Sequence, residues 1–352
     1  MGKPSTTPLA SLDRRTLLRG TGATLGAGLI AGLGGCSSLL GGDGGGDSTP
    51  RVAAIPGSAT AAVYADLSAM LGDEEFRATI GALLADFGIV RSDAASTVTE
   101  TLDTVEERVR LDPRKVSELL AVFDQERGSV VLLWTDFADA TVRERAEARD
   151  PPTSTYRGQT IYNFESSSLA ALGDGRYAVG TEGGTRAAID RDNGDVPAVD
   201  GELRTAYETA RSGYLQFGVD VPTDQLPGRD TPRMTALRSL QYAYGSLAPD
   251  GNSLTLSVSA RAEDSKSATQ LRDQVEAGLT AAENQLAEAE SRPDRRERAQ
   301  NRLEVLEATE VSTDGPTVTA RNSEGAAALV TAVVVGGGFA LPLSGSGSAA
   351  MS

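Results

Sequence analysis

The sequence predicts an α+β fold, with antiparallel or mixed sheets, helices on one face and two related lobes. Three observations point there. Short apolar runs recur through residues 51–322, bounded by Gly, Pro, Asn and Asp. Several lead through a polar cap into an amphipathic helix, at 63–68, 133–139, 257–265 and 318–323. Hairpin signals join neighbouring runs, most clearly Pro249-Asp250-Gly251-Asn252, and these favour antiparallel pairing. The irregular spacing excludes a solenoid.

The first strand is read at Ala61-Ala62-Val63-Tyr64-Ala65, with Asp66 or Ser68 capping the helix after it. Phe76, Ile80, Leu83, Leu84 and Phe87 recur at helical spacing, as do Val98, Leu102, Val105 and Val109. Val116, Leu119, Leu120 and Phe123 share that spacing and predict a short third helix. Val130-Val131-Leu132-Leu133-Trp134 is a continuous apolar run, hence a buried strand, and Asp136 and Asp139 open the next helix. Residues 155–164, 169–172 and 177–180 read as short antiparallel strands, and 184–190 as a helix.

The second half repeats the idea. Residues 203–210 read as helix and 214–219 as strand. Strands 239–248 and 253–262 flank the hairpin turn. Leu254, Leu256 and Val258 alternate with Thr255, Ser257 and Ser259, leaving one face polar. Leu271, Val275, Leu279, Ala282 and Leu286 mark a long helix that Pro293 breaks, and Ala299, Leu303 and Leu306 continue it as a hairpin. Residues 317–320 read as the last strand, with Ser323 capping a last helix over 323–335.

Composition excludes much chemistry. The chain has 352 residues, 33 Lys+Arg against 49 Asp+Glu, no His and one Cys. Without His there is no Ser-His-Asp or Cys-His site, and a single Cys allows neither a disulfide framework nor a Cys-rich zinc site. Three residues before Lys115 and Lys266 stand Asp112 and Glu263, so Ser-x-x-Lys is not met. A net charge of −16 with 5% aromatics argues against nucleic acid and anionic lipid headgroups.

Metal ligation would rest on oxygen alone. Asp190-Arg191-Asp192-Asn193-Gly194-Asp195 superficially resembles a calcium loop. Gly194 stands fifth, Asp195 sixth and Gly201 twelfth, which is the wrong order, so a polar turn is expected. Acid pairs such as Asp73/Glu74/Glu75, Glu106/Glu107 and Asp136/Asp139 are expected by chance among so many acids. Trp134, alone in its type, reads as core. No catalytic residue, cofactor or metal site is expected.

The N-terminus is the most informative stretch. Asp13-Arg14-Arg15-Thr16-Leu17-Leu18-Arg19 resembles the twin-arginine export motif. An uncharged Gly/Ala-rich run over 20–35 follows, short for a membrane span, and ends in Leu33-Gly34-Gly35-Cys36, which resembles a lipobox. Residues 1–35 read as a lipoprotein signal peptide and Cys36 as the lipidated residue. Removing 1–35 takes four basic residues and one acid, deepening the charge to −19. High acidity with only three lysines resembles exported proteins of salt-loving archaea. Residues 37–50 form a Gly-rich tether with a span of roughly 20 Å.

Residues 51–197 and 198–322 are the two expected lobes. Ile55-Pro56-Gly57 followed by Ala62-Val63-Tyr64-Ala65-Asp66-Leu67 resembles the opening of a diffuse group of secreted or membrane-anchored two-lobed α+β proteins of unknown function. That resemblance implies no catalytic residues.

Residues 323–352 form an apolar end. Within it 325–343 is uncharged and offers a second membrane contact, but Gly336-Gly337-Gly338, Pro342 and the lack of a following Lys or Arg favour a buried helix. The expectation is an exported, outward-facing protein held to the membrane by lipid on Cys36, with a non-enzymatic binding or scaffolding role. A solute-binding lipoprotein of a transporter is the alternative, and a carboxylate-dependent hydrolase a weaker one.

Overall fold

The computed structural model describes residues 51–74, 76–77, 98–221, 236–250, 253–290, 300, 303–304 and 306–323. Their elements run β1 (Ala61–Asp66), α1 (Leu67–Gly72), α2 (Val98–Val109), β2 (Val116–Asp124), β3 (Gly128–Thr135), α3 (Asp139–Glu147), β4 (Thr153–Tyr156), β5 (Gln159–Asn163), β6 (Ser168–Gly173) and β7 (Arg176–Gly180). They continue with α4 (Glu182–Asp192), α5 (Gly201–Thr209), β8 (Leu215–Asp220), β9 (Leu240–Asp250), β10 (Ser253–Ala262), α6 (Ser265–Glu290), β11 (Thr309–Asp314) and β12 (Thr317–Asn322).

The twelve strands form one sheet in the order β11-β12-β10-β9-β8-β1-β2-β3-β7-β6-β5-β4, and all neighbours are antiparallel. The α+β class expected from the hairpin signals is therefore the class observed, in its antiparallel form. The sheet passes without interruption from residues of the first half into those of the second. β1 pairs β2 on one side and β8 on the other, with Ala62 opposite both Val122 and Gly218.

Helices lie on both faces rather than one. Paired residues across antiparallel strands share a face, so the register sorts them. Ala62, Tyr64, Leu120, Val122 and Leu132 join Ile189 of α4 and Leu203 and Tyr207 of α5 in one core cluster. Their neighbours in sequence point the other way. Leu215 pairs Leu247, which pairs Leu256, and these pack with α1, Phe76 and Val98 of α2. Ala260 and Val318 on that second face pack with Ala268 and Leu271 of α6. The cause is visible in β1 and β2, where Ala-Ala-Val-Tyr-Ala and Leu-Leu-Ala-Val-Phe are apolar at both parities and require cover on both faces.

The expected helix over 116–123 is instead strand β2. Its helical spacing arises because nearly every position there is apolar, and periodicity cannot separate that case from a buried strand. Pro113 and the Asp112 side chain, which accepts from the Arg114 amide, open a 3-10 turn that ends at Lys115, where the chain enters β2. Asp250 pairs Ser253, so β9 and β10 pair as the hairpin signal predicts, and Leu306 packs with Val275 and Leu279. Strand β11 has no apolar stretch and went unread. The expected helix over 76–87 is described only at Phe76 and Arg77, and the break at Pro293 and the segment 325–343 lie outside the described residues.

Candidate functional site

Among the described residues, the sheet's second face is apolar but incompletely covered between β3 and β6. Leu133, Val179 and Leu169 stand half-exposed there, and α3 lies over them through Val142 and Ala146. Val109 at the end of α2 with Arg110 and Leu111 after it, the segment 148–152 and the turn 163–167 complete the walls, and Phe137 and Phe164 add aromatic area. The resulting groove measures about 1030 Å³. That is at the upper end of the roughly 300–1,000 Å³ that small-molecule sites occupy.

Two tyrosines of the sheet hold α3 in place. The Tyr177 hydroxyl donates to Asp139 Oδ1 at 2.7 Å at the helix N-terminus. The Tyr162 hydroxyl donates to Glu147 Oε1 at 3.3 Å at its other end. Burial, reinforced by these acceptors, raises the pKa of both phenols, so each remains a donor across the physiological range. Asp139 was read as a helix-opening acid, and it also pins the helix to β7.

The groove's charge is set by α3. Val142, Arg145 and Ala146 fall at i, i+3 and i+4 on one stripe of α3, and Arg149 follows in the turn past its C-terminus. Arg145 and Arg149 both line the groove, as does Arg110. Among the described residues none of these three guanidiniums has an ion-pair partner, whereas Arg114, Arg176 and Arg204 are each answered by an acid. Asp150 and Glu165 also line the groove. Arg110 (φ 56) and Asp150 (φ 47) adopt left-handed conformations where helices usually end on Gly.

A second polar cluster lies on the sheet's first face. Arg51 forks onto Glu118 through Nε and Nη2 at 2.7 and 2.6 Å, and the Tyr64 hydroxyl donates to Glu118 Oε2 at 3.0 Å. The same guanidinium lies 4.5 Å from the centre of the Trp134 ring. Trp134, expected in the core, is half-buried beneath it. Asp66 is 7% exposed, and burial first, then the charge of Glu118, push its carboxyl up to about 6. Asp66 and Glu118 line neither described cavity.

The acids of 190–195 turn to arginines. Asp190 pairs with Arg127 and Arg157 and accepts from the Tyr156 hydroxyl, Asp192 pairs with Arg176, and Asp195 with Arg157. Asp190 and Asp192 belong to α4 rather than to a loop. Among the described residues no three His, Cys, Asp or Glu are grouped to hold a metal ion. A smaller cavity of about 190 Å³ lies on the first face, between Arg211 and Arg321.

Arg14, Arg15, Leu33, Gly34, Gly35 and Cys36 lie outside the described residues. No described helix is long and apolar enough to cross a membrane. Sequence reading missed the groove.

No family model and no curated protein matches the chain. Among solved structures it is similar to TP0453 at 10% identity. Crystal form III gives a TM-score of 0.44, covering 82% of this chain and 100% of that one. Crystal form IV gives 0.43, covering 82% and 97%.

Proposed function

We propose that the protein is exported through the twin-arginine route, held on the outer face of the membrane by lipid on Cys36, and serves there as a non-enzymatic binding protein. The groove between α3 and the sheet carries the binding part of this reading. It offers apolar area beside arginines that form no ion pair among the described residues. The ordered succession of Arg14-Arg15, an apolar run and Leu33-Gly34-Gly35-Cys36 supports the export and anchoring part. The charge of −19 after cleavage suits concentrated salt, where screening relieves the repulsion among carboxylates.

The transporter-linked alternative calls for a cleft between two lobes. The groove is built instead within residues 109–179, and one sheet joins both halves. A carboxylate hydrolase calls for two acids facing across a pocket, and the coupled pair Asp66/Glu118 faces neither cavity.

Two experiments test the reading. Cys36→Ser is expected to release the protein into the medium, and Arg14→Lys with Arg15→Lys to retain it inside the cell. A Cys36→Ser protein that stays on the membrane overturns the anchor. For binding, denaturing the purified protein is expected to liberate a small molecule that a Leu169→Arg variant, with its groove obstructed, does not carry. Identical extracts from the two overturn binding at this site.

A further inference from the structure

We infer that the groove takes a single-tailed anionic amphiphile, its chain along the sheet and its acid head between Arg145, Arg149 and Arg110; this rests on the binding reading above. The apolar floor of Leu133, Leu169 and Val179 is half-exposed, whereas Leu247, Leu256 and Ala260 on the same face are buried in clusters with α1, α2 and α6. Left half-exposed, that floor suits a hydrocarbon chain, whose burial yields about 0.8 kcal/mol per methylene.

The head follows from charge. Arg145 and Arg149 line the groove together, and among the described residues neither forms an ion pair, although acids outnumber bases 49 to 33 in the sequence. Their guanidiniums match a carboxylate or phosphate monoester, which each can grip through two parallel N–H donors. Asp150 and Glu165 at the same rim repel a second anion, which favours a head of one or two charges over a polyanion. The net charge of −16 likewise disfavours the surface of an anionic bilayer. The occupant is therefore a monomer withdrawn from its aggregate, and not a membrane patch.

The test titrates the full-length protein with a fluorescent long-chain carboxylate below its micelle concentration, beside its methyl ester and beside vesicles of anionic phospholipid. The carboxylate is expected to bind at least tenfold tighter than the ester. Arg145→Ala with Arg149→Ala is expected to remove that preference while leaving ester affinity unchanged, and Arg145→Lys with Arg149→Lys to restore part of it. Circular dichroism matching the wild type shows that the variants fold. Equal affinity for carboxylate and ester overturns the assignment of the head. Binding to vesicles without binding of the monomeric probe overturns it in favour of a membrane surface. Absence of probe binding overturns the amphiphile altogether. The broader binding role is judged separately, by whether wild-type extracts contain a molecule that the Leu169→Arg extracts lack.

Discussion

At the scale of single residues, the least comfortable group is Asp66, at the junction of β1 and α1. Its carboxyl is buried beside Glu118, while the nearby Ser68 and Ala69 amides and the Tyr64 hydroxyl only partly compensate, so it ionises near pH 6 and not near 3.8. The consequence for stability follows from proton counts. Between about pH 4 and 6 the folded protein holds a proton on Asp66 that the unfolded chain has released, so stability is greatest below that window and falls as pH rises through it. Asp66→Asn removes the ionisation and keeps the size of the side chain. The variant is expected to match the wild type at pH 4 and to exceed it by on the order of 2 kcal/mol at pH 8. Urea unfolding of both proteins at the two pH values measures this. A variant equally or less stable at pH 8 would show that Asp66 contributes a contact worth more than its burial costs.

At the scale of elements, the N-terminus of α4 shows where tertiary packing overrides local preference. Thr181 caps the helix through a bond from the Gly184 amide at 3.1 Å, which sequence rules anticipate. Gly183 and Gly184 in the first turn are poor helix formers, and intrinsic propensity favours Ala there by about 1 kcal/mol. The sheet forbids it. A Cβ on Gly184 would stand 2.5 Å from the Ser129 carbonyl oxygen, and one on Gly183 2.4 Å from that of Arg127. Gly184→Ala is therefore expected to destabilise the protein by about 2 kcal/mol, opposite in sign to its helix propensity. Thermal unfolding decides this, and a stabilised variant would mean that α4 shifts freely on β3.

The same contrast governs how much of the fold could be read in advance. Elements with a strong local signature were legible: the Pro-Asp-Gly-Asn turn between β9 and β10, the spaced apolar positions of α6, the continuous run of β3. Strand β2 was misread because its apolar positions satisfy both periods, and only its pairing with β1 and β3 selects one. Strand β11, Thr-Glu-Val-Ser-Thr-Asp, is an edge strand with mostly exposed residues and carries no hydrophobic pattern to find. The groove was illegible for a related reason. Its floor is contributed by β3, β6 and β7 and its cations by α3 and the turns that follow α2 and α3, segments distant in sequence.

At the scale of the molecule, the seam between β1 and β8 decides whether the two halves behave as one. Independent lobes would meet through a modest polar contact and unfold separately. Here five residue pairs from Ala61↔Val219 to Ala65↔Leu215 continue the ladder across the seam. Helix α5 then covers it. Tyr207, with no exposed surface, packs against Ala62 and Tyr64 of β1, its carbonyl accepts from Gln216 of β8, and Gly218 is pressed against its backbone. Losing either half would leave an apolar central strand with an open edge and a buried tyrosine without its surroundings. The halves should therefore unfold together. Trp134 fluorescence reports on the first half and far-UV circular dichroism on both, and their urea transitions are expected to coincide. Tyr207→Ala is expected to lower stability by about 3–5 kcal/mol and to move both transitions by the same amount, because the cavity opens at the seam itself. Transitions that separate in the wild type, or a variant that shifts the circular dichroism while leaving the Trp134 midpoint in place, would mean that the sheet is continuous in geometry but divided in energy.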